Sequence, residues 1–509
     1  MGIGMKLSEL IEGIDFVSKR IPENHLIRGI AYDSRRVTKG CIFFAIKGFH
    51  TDGHLYTDDA IGTGAVAVVH SEELPRYREN IAYLKTPDVR RVLSRVASRF
   101  YGNPSEKLKV IGVTGTDGKS TTVWLIHQLL SMLGEKSGFI STVHFLTGEN
   151  MQKNPLRQST PESPEIHAML YDILESGKDY AVIEATSHGL SDRTARLIDV
   201  DFNIAVFTNV THEHIEFHGS EEQYRYDKAN LFRMSRDAAV INMDDMYHDY
   251  FASSFLEKFN GKDTINPPIH YYSLENHEAH IYATEIRGNL FHSTFVIHIV
   301  DFEREISLPL GGNFNILNSM AALLAVHIAT KKEVSKIAPL LESVSGVPGR
   351  MEQVHRGQPF NVIVDYAHTP ESFRRVFPLF RRYTNGKLIA VFGSAGERDT
   401  EKRPIQGRIA GEYSDILILT DEDPRGEERM KILDEIASGI EGFRESENLL
   451  LIPDREEAIR RALAIAREND TVVLLGKGHE ESIIYDGYSI QWDEKKVAER
   501  ILKEMGYGE

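Results

Sequence analysis

The 509-residue sequence holds a single cysteine, Cys41. One cysteine closes no internal disulfide, so the framework is that of a chain suited to a reducing compartment. Basic charge is also in short supply: 59 Lys and Arg stand against 75 Asp and Glu, a formal net charge of −16. A surface of that sign repels a nucleic-acid backbone on average, so nucleic acid is not an expected partner. A small anionic substrate stays compatible, because local basic residues outweigh a distant net charge. Long apolar runs are missing too. None has the length that crosses a bilayer, and the opening MGIGMKLSELIEGIDF has no apolar core of signal-peptide length. The expectation is a cytoplasmic protein without membrane insertion, acting as a monomer.

What is present is ordinary for a globular protein, with 41% hydrophobic and 26% charged residues. The length calls for about three domains. Residues 1–105 contain short strand-like runs such as CIFFAIKG and GAVAVVH, which predict a small α/β unit. The segment YGNPSEKLK (101–109) marks a first boundary and SGVPGRME (345–352) a second. Between them, over 106–345, the apolar runs LKVIGVTG, YAVIEATS and FNIAVFTNV read as strands covered on both faces, and GNFNILNSMAALLAVHIA as a helix. Over 346–509, NVIVDYA, KLIAVFGSAG, DILILTDED and DTVVLLGKG alternate with helical stretches, the pattern of a doubly wound sheet with ligands at the carboxyl ends of its strands. The expected fold class is therefore α/β in three domains: a central parallel sheet of the P-loop ATPase type, a small N-terminal α/β domain and a C-terminal Rossmann-like domain.

The stretch VIGVTGTDGKSTTVW (110–124) reads as a phosphate loop. Gly115 and Gly118 admit phosphate oxygens to the backbone, Lys119 supplies positive charge and the Ser120 hydroxyl suits Mg²⁺. The following helix N-terminus adds its partial positive charge. Against the general pattern GxxxxGK[ST], Val113 stands where the first glycine belongs. No base-reading Asn-Lys-x-Asp stretch follows, which disfavours a switch GTPase and leaves a small-molecule kinase open. Glu184, ending the run YAVIEATSHGL, reads either as a solvated strand-end carboxylate or as a metal ligand. His212, His214 and His218 cluster in NVTHEHIEFHG, yet Glu213 is followed by His214 and Ile215, so the zinc-protease spacing fails. Lys228 by itself reads as an exposed helical lysine.

The register Gly112-Val-Thr-Gly115-Thr-Asp-Gly118-Lys119-Ser120 resembles the phosphate loop of the Mur ligase superfamily, which includes folylpolyglutamate synthases; Asp117 stands where Asn is usual. The resemblance implies ATP held by Gly115, Thr116, Asp117, Gly118, Lys119, Ser120 and Thr121. EATSHGL is similar to the family's E-x-S-S-H-x-L, which implies that Glu184 bridges two Mg²⁺ ions. NVTHEHIEFHG implies a second-metal role for His214, and Lys228 stands where the family carries a carbamylated lysine. Lys119, Glu184, His214 and Lys228 thus form the implied catalytic set, and Ser120, Glu184, His214 and carbamylated Lys228 the implied metal ligands. Asn313 and Asn318 in NFNILNSMAA, Arg350 in PGRME and Asp365 (with His368) in VDYAHTP match the adenine-side, hinge and nucleotide-facing segments.

Further motifs resemble one branch, the ligases that add the third residue of the peptidoglycan stem. YDSRRV, with Ser34, and FFAIKGFHTDG look like its uridine-diphosphate pocket, so 1–105 is implied to bind the UDP-muramoyl substrate. STPES implies that Ser159 and Thr160 lie near the muramoyl peptide, along with Thr186 and Arg193, although Arg193 stands one position early. Arg398 in FGSAGERDTEKRP, Glu422, Asp423 and Arg425 in DEDPRGE, and Gly476 and Glu480 in GKGHE resemble the incoming amino-acid site. The implied reaction is an ATP-dependent ligation, through an acyl phosphate, of a diamino acid onto the D-Glu side chain of UDP-MurNAc-L-Ala-D-Glu. Arg425 and Arg398 suit the carboxylates of meso-diaminopimelate; Asp423, where Asn is typical, suits an ammonium and keeps L-lysine and L-ornithine close behind. An Asp423–Arg425 ion pair that only shapes the loop is the third reading. YDSRRV, DEDPRGE and GKGHE disfavour a folylpolyglutamate synthase. Retention of all four catalytic positions disfavours a non-catalytic relic of the fold.

Overall fold

The computed structural model describes residues 4–48, 51–154, 159–211, 215–259, 268–300 and 302–508. The chain divides into two compact units: Met1–Ala283 with His298–Glu303 and Leu317–Leu340, and Thr284–Ile297 with Arg304–Ile316 and Leu341–Glu509.

The first unit contains two large sheets. The N-terminal one runs in the order Ser18–Arg20, Ala82–Lys85, Ala67–His70, Cys41–Phe44, Gly29–Ala31; its first pair is antiparallel and the rest are parallel. Every residue of CIFF and AVVH is buried, as unalternated apolar runs require. The helix Val89–Phe100 covers this sheet with Val89, Val92, Leu93, Val96 and Phe100, and Asp88 caps its N-terminus by accepting from Arg91 N–H. The stretch 101–109, read above as a boundary, contains a helical turn, Pro104–Lys107, entered through Asn103 at φ 51°. Pro at the start of that turn explains it, since a proline there sacrifices no helical hydrogen bond.

The second sheet places Lys109–Thr114 between Tyr180–Glu184 and Ile204–Phe207, all parallel, with Ser137–Ile140 outside the former and Ala238–Asn242 and Ile269–Ser273 outside the latter. Thr114 and Glu184 therefore end side by side, where the chain turns into the phosphate loop and the SHGL stretch. The helix Lys119–Met132 follows the loop directly. Strands Ile281–Gly288, Ser293–Ile299 and Phe302–Leu308 went unread in the sequence, because their burial alternates and only half of each run is apolar.

In the second unit a six-stranded sheet has the order Glu352–Gln353, Asn361–Asp365, Thr471–Leu475, Leu388–Phe392, Ile416–Leu419, Leu449–Leu451, parallel after its first pair. All four strands expected from the sequence are present. Arg455, fully buried, pairs with Glu494 at 2.6 Å and donates to the carbonyls of Asp421 (2.9 Å) and Leu475 (2.8 Å). One guanidinium thus ties down the carboxyl ends of two strands.

His167, on the helix Ser163–Glu175, is wholly buried, and neither ring nitrogen has a hydrogen-bond partner among the described residues. Burial pushes its pKa down from 6.5 to about 3. The unfolded chain therefore binds a proton that the folded chain refuses. The stability this contributes is complete above about pH 6.5 and is lost as pH falls toward 3, at about 1.4 kcal/mol per pH unit. Urea denaturation between pH 7 and 5 is expected to show that His167→Leu flattens the acid-side decline by this amount; an unchanged slope would place the titration elsewhere.

Candidate functional site

The phosphate loop is held open by two glycines in conformations that other residues avoid. Gly115 (φ 150°) and Gly118 (φ 79°) sit where a Cβ would collide with the Thr208 hydroxyl and with Asn318 Oδ1 respectively. Neighbouring groups brace the loop. Asp117 N–H donates to Asn209 Oδ1 at 3.0 Å, and the buried Thr116 hydroxyl meets Tyr224 Oη at 3.1 Å. Lys119 Nζ folds back onto the carbonyls of Gly115 (3.0 Å) and Thr116 (2.7 Å). Asn318 Oδ1 accepts from the Thr122 hydroxyl at 3.3 Å, which brings the expected adenine-side residue against the helix that follows the loop.

Glu184 is 2% exposed. Its Oε2 accepts from the Ser120 hydroxyl (2.8 Å) and from Thr142 N–H (2.9 Å), and its Oε1 accepts from the Thr142 hydroxyl (2.8 Å). The solvated reading of this carboxylate is thereby excluded. Lys228, 1% exposed, is likewise not a surface lysine: its Nζ donates to Gly115 O at 2.6 Å and lies 4.3 Å from the Tyr224 ring centre. His212 and His214 lie outside the described residues, and no group of three or more His, Cys, Asp or Glu is disposed to hold a metal among those described. The Ser120 hydroxyl and the Glu184 carboxylate are nevertheless hard oxygen donors at one point, the chemistry that Mg²⁺ takes.

Around the SHGL stretch, Thr160 is buried with its hydroxyl on Glu184 O (2.9 Å) and against the Thr186 hydroxyl (2.9 Å). Ser159 is half-buried beside it. Arg193 is exposed, donates to Phe217 O at 2.6 Å and lies over the Phe217 ring. Arg196 donates to Thr160 O at 2.9 Å and to Glu162 Oε1 at 2.7 Å. Two residues tie this loop to the N-terminal sheet and its helix. Glu162 also accepts from Arg90 (3.2 Å), and Glu165 accepts from the Tyr32 hydroxyl (2.7 Å). Burial raises the Glu165 carboxyl above the usual range. Ser34 opens the short turn Ser34–Arg36, two residues beyond Tyr32.

In the second unit, Asp365 ends its strand with both oxygens on backbone N–H groups, Met351 at 2.7 Å and Ala367 at 2.8 Å, and burial raises its pKa. Arg350 lies over the Tyr366 ring at 4.8 Å, and Asn313 begins the helix Asn313–Thr330. At the strand ends, Asp423 does not pair with Arg425. Its Oδ1 accepts from Lys477 Nζ and from Ile484 N–H, each at 2.9 Å, and the fully buried Lys477 also reaches Glu480 Oε2 at 2.5 Å. Sequence reading missed Lys477, since nothing local to GKGHE shows which carboxylate it meets. Glu422 is buried, its Oε2 has no hydrogen-bond partner among the described residues, its pKa is raised by that burial, and a Cβ on Gly476 (φ 100°) would press against it. Arg425 adopts φ 54°, and its buried Nε has no hydrogen-bond partner among the described residues. Arg398 is exposed on the loop after Phe392.

Replacing Gly118 by Ala forces a left-handed alanine against Asn318, a strain of roughly 1–2 kcal/mol before the clash is counted. Calorimetric titration with ATP is expected to show binding weakened by about tenfold or more, with an unchanged circular dichroism spectrum.

Comparison with known proteins places the chain in a family. Three family models match in succession: "Mur ligase family, catalytic domain" over 26–101, "Mur ligase middle domain" over 113–326 and "Mur ligase, glutamate ligase domain" over 349–478. The chain is 46% identical to a UDP-N-acetylmuramyl-tripeptide synthetase of Roseiflexus sp. (strain RS-1), over 99% of this chain and 100% of that protein. It is 37% identical to a UDP-N-acetylmuramoyl-L-alanyl-D-glutamate–2,6-diaminopimelate ligase of Caldanaerobacter subterraneus subsp. tengcongensis, over 98% and 99%. A solved structure of a ligase of that same description superposes with a TM-score of 0.68 at 29% identity, covering 99% of this chain and 100% of that one. A loop built to present a terminal phosphate, a buried carboxylate beside it and this three-part match lead to one assignment: the chain belongs to the Mur ligase family, as an ATP-dependent ligase that forms a carbon–nitrogen bond.

Proposed function

We propose that this enzyme acts in peptidoglycan precursor synthesis, joining a diamino acid, meso-diaminopimelate by preference, to the D-Glu side-chain carboxylate of UDP-MurNAc-L-Ala-D-Glu. The observation that carries the reading is the Ser120 hydroxyl on the Glu184 carboxylate at 2.8 Å, at the start of the helix that follows the phosphate loop. The names of the relatives support the substrate class. The proposed domains are 1–105 for the UDP-muramoyl substrate, 106–345 for ATP and 346–509 for the amino acid, in line with the order of the matched family models.

A carboxylate is a poor acyl donor, because its charge repels an amine and oxide does not leave. Transfer of the γ-phosphoryl of ATP to it gives an acyl phosphate; the amine attacks the acyl carbon and inorganic phosphate departs. Lys119 released from the Gly115 and Thr116 carbonyls would meet the terminal phosphates, and the loop N–H groups would hold them. Ser120, Glu184 and a carbamylated Lys228 are the described residues that would hold Mg²⁺, with His214 from outside the described segment. When bound, Mg²⁺ neutralises charge that moves between phosphate oxygens. Thr160, Thr186 and Arg196 would orient the muramoyl peptide beside that carboxylate.

The choice of amine follows from the pairing in the second unit. Asp423 Oδ1 already accepts from Lys477 and from Ile484 N–H, which weakens that oxygen as an acceptor for a side-chain ammonium. Glu422 Oε2 and Arg425 Nε are buried polar atoms with no hydrogen-bond partner among the described residues, and such an acid and base suit the ammonium and carboxylate of an amino-acid terminus. Meso-diaminopimelate has two such termini, one to be held and one to attack. Lysine and ornithine have one.

Phosphate release with ATP, Mg²⁺ and UDP-MurNAc-L-Ala-D-Glu is expected with meso-diaminopimelate, with a tripeptide product by mass. Release with L-lysine or L-ornithine alone would overturn the amine assignment, and release with none would overturn the ligase reading. In the same assay Arg196→Ala is expected to raise KM for the UDP-dipeptide about tenfold, and Arg193→Ala to leave it within about twofold.

A further inference from the structure

Three buried polar side chains, none of them used above, form a continuous relay. Ser187 opens the short helix Ser187–Leu190, and its hydroxyl lies 3.1 Å from His218 Nε2. On the other side of the ring, His218 Nδ1 lies 2.7 Å from Asp227 Oδ2. A carboxylate only accepts, so Nδ1 is the donor there and Nε2 faces the hydroxyl. Asp227 Oδ1 in turn accepts from Gln223 Nε2 at 2.9 Å, which fixes the carboxylate on its own helix. The three residues are 2%, 6% and 1% exposed.

Ser, His and Asp in this order are the constellation of a nucleophilic serine. Burial denies that role here, because a hydroxyl 2% exposed has no approach for an acyl carbon. The connectivity points to another use. Ser187 follows Glu184 by three residues, at the point where the Tyr180–Glu184 strand turns into the SHGL helix. Asp227 immediately precedes Lys228 on the helix Glu221–Met234. The relay spans the gap between these two elements through a ring that cannot be shortened or bent, whereas the strand and the helix share no backbone ladder.

We infer that Ser187, His218 and Asp227 are positioning residues: the relay sets the register between the strand that carries Glu184 and the helix that carries Lys228, and thereby the separation of two oxygen-bearing groups that take the metal. The inference rests on the metal site of the proposed function. The Asn230–Leu190 and Tyr224–Thr116 hydrogen bonds and the buried Leu231 and Phe232 keep the helix in place, so loss of either relay bond loosens only the fine register, which changes the geometry offered to a cation but leaves the amino-acid site of the second unit untouched.

The test is binding of Mn²⁺, followed by electron paramagnetic resonance, to the full-length protein with a non-hydrolysable ATP analogue. Ser187→Ala removes only the hydroxyl, and His218→Asn keeps a donor near Nδ1 while giving up the bond to Ser187. Each is expected to weaken Mn²⁺ binding about tenfold and to raise KM for Mg-ATP, with KM for the amine unchanged and the melting temperature within a few degrees of the parent. Mn²⁺ affinity equal to the parent's in Ser187→Ala would overturn the relay while leaving the metal site standing. A parallel fall in melting temperature, metal affinity and amine KM would reduce the relay to a general fold contact and overturn it too. Failure of the parent protein to take up Mn²⁺ would instead sink the metal site, and the inference with it.

Discussion

A carboxylate at the end of an apolar strand loses water when the fold covers it and has to find donors in its place. At Glu184 it is held: the Ser120 hydroxyl and both the amide and the hydroxyl of Thr142 converge on its two oxygens. Three donors offset the loss of water around a buried carboxylate, and they arrive from two separate parts of the chain. Ser120 comes from the helix after the phosphate loop, Thr142 from the turn after the Ser137–Ile140 strand. The Glu184 carbonyl takes the Thr160 hydroxyl, which draws in the loop that Arg196 and Glu162 secure. Much of the first unit's polar interior is arranged outward from this one acid.

The same logic accounts for the two lysines beside it. Lys119 and Lys228 both donate to the Gly115 carbonyl, so the loop is drawn together by cations that rest on backbone dipoles. A phosphate group offers Lys119 a stronger acceptor than a carbonyl does. The loop is thus shaped in advance, with the Lys119 ammonium held on two of its own carbonyls.

Much of this was legible in the sequence, and the limits follow physical lines. The strands of the central and C-terminal sheets are continuous apolar runs, and such runs are readable because both faces are covered. The phosphate loop was readable because its glycines and lysine are consecutive. Arg196, Thr142, Lys477 and Arg455 were not, because each acts on a group far along the chain: Lys477 meets Asp423 across 54 residues and Arg196 meets Thr160 across 36. Residue type announces a charge, and only the fold decides its partner. Arg193 shows the converse. It stood closest to the expected motif position, and the turn Ser191–Thr194 sends it outward to Phe217.

The guanidinium of Arg455, shared between the carbonyls of Asp421 and Leu475, has a bearing on how such a pocket diversifies. The loops 422–425 and 476–480 leave the sheet from points clamped inside the core by the buried Arg455 side chain. Their backbone entropy is surrendered during folding rather than during ligand capture. On the proposed reading, substitutions on these loops change which groups meet the amine without moving the backbone that carries them. Side-chain identity and backbone position are thereby separable at this end of the sheet.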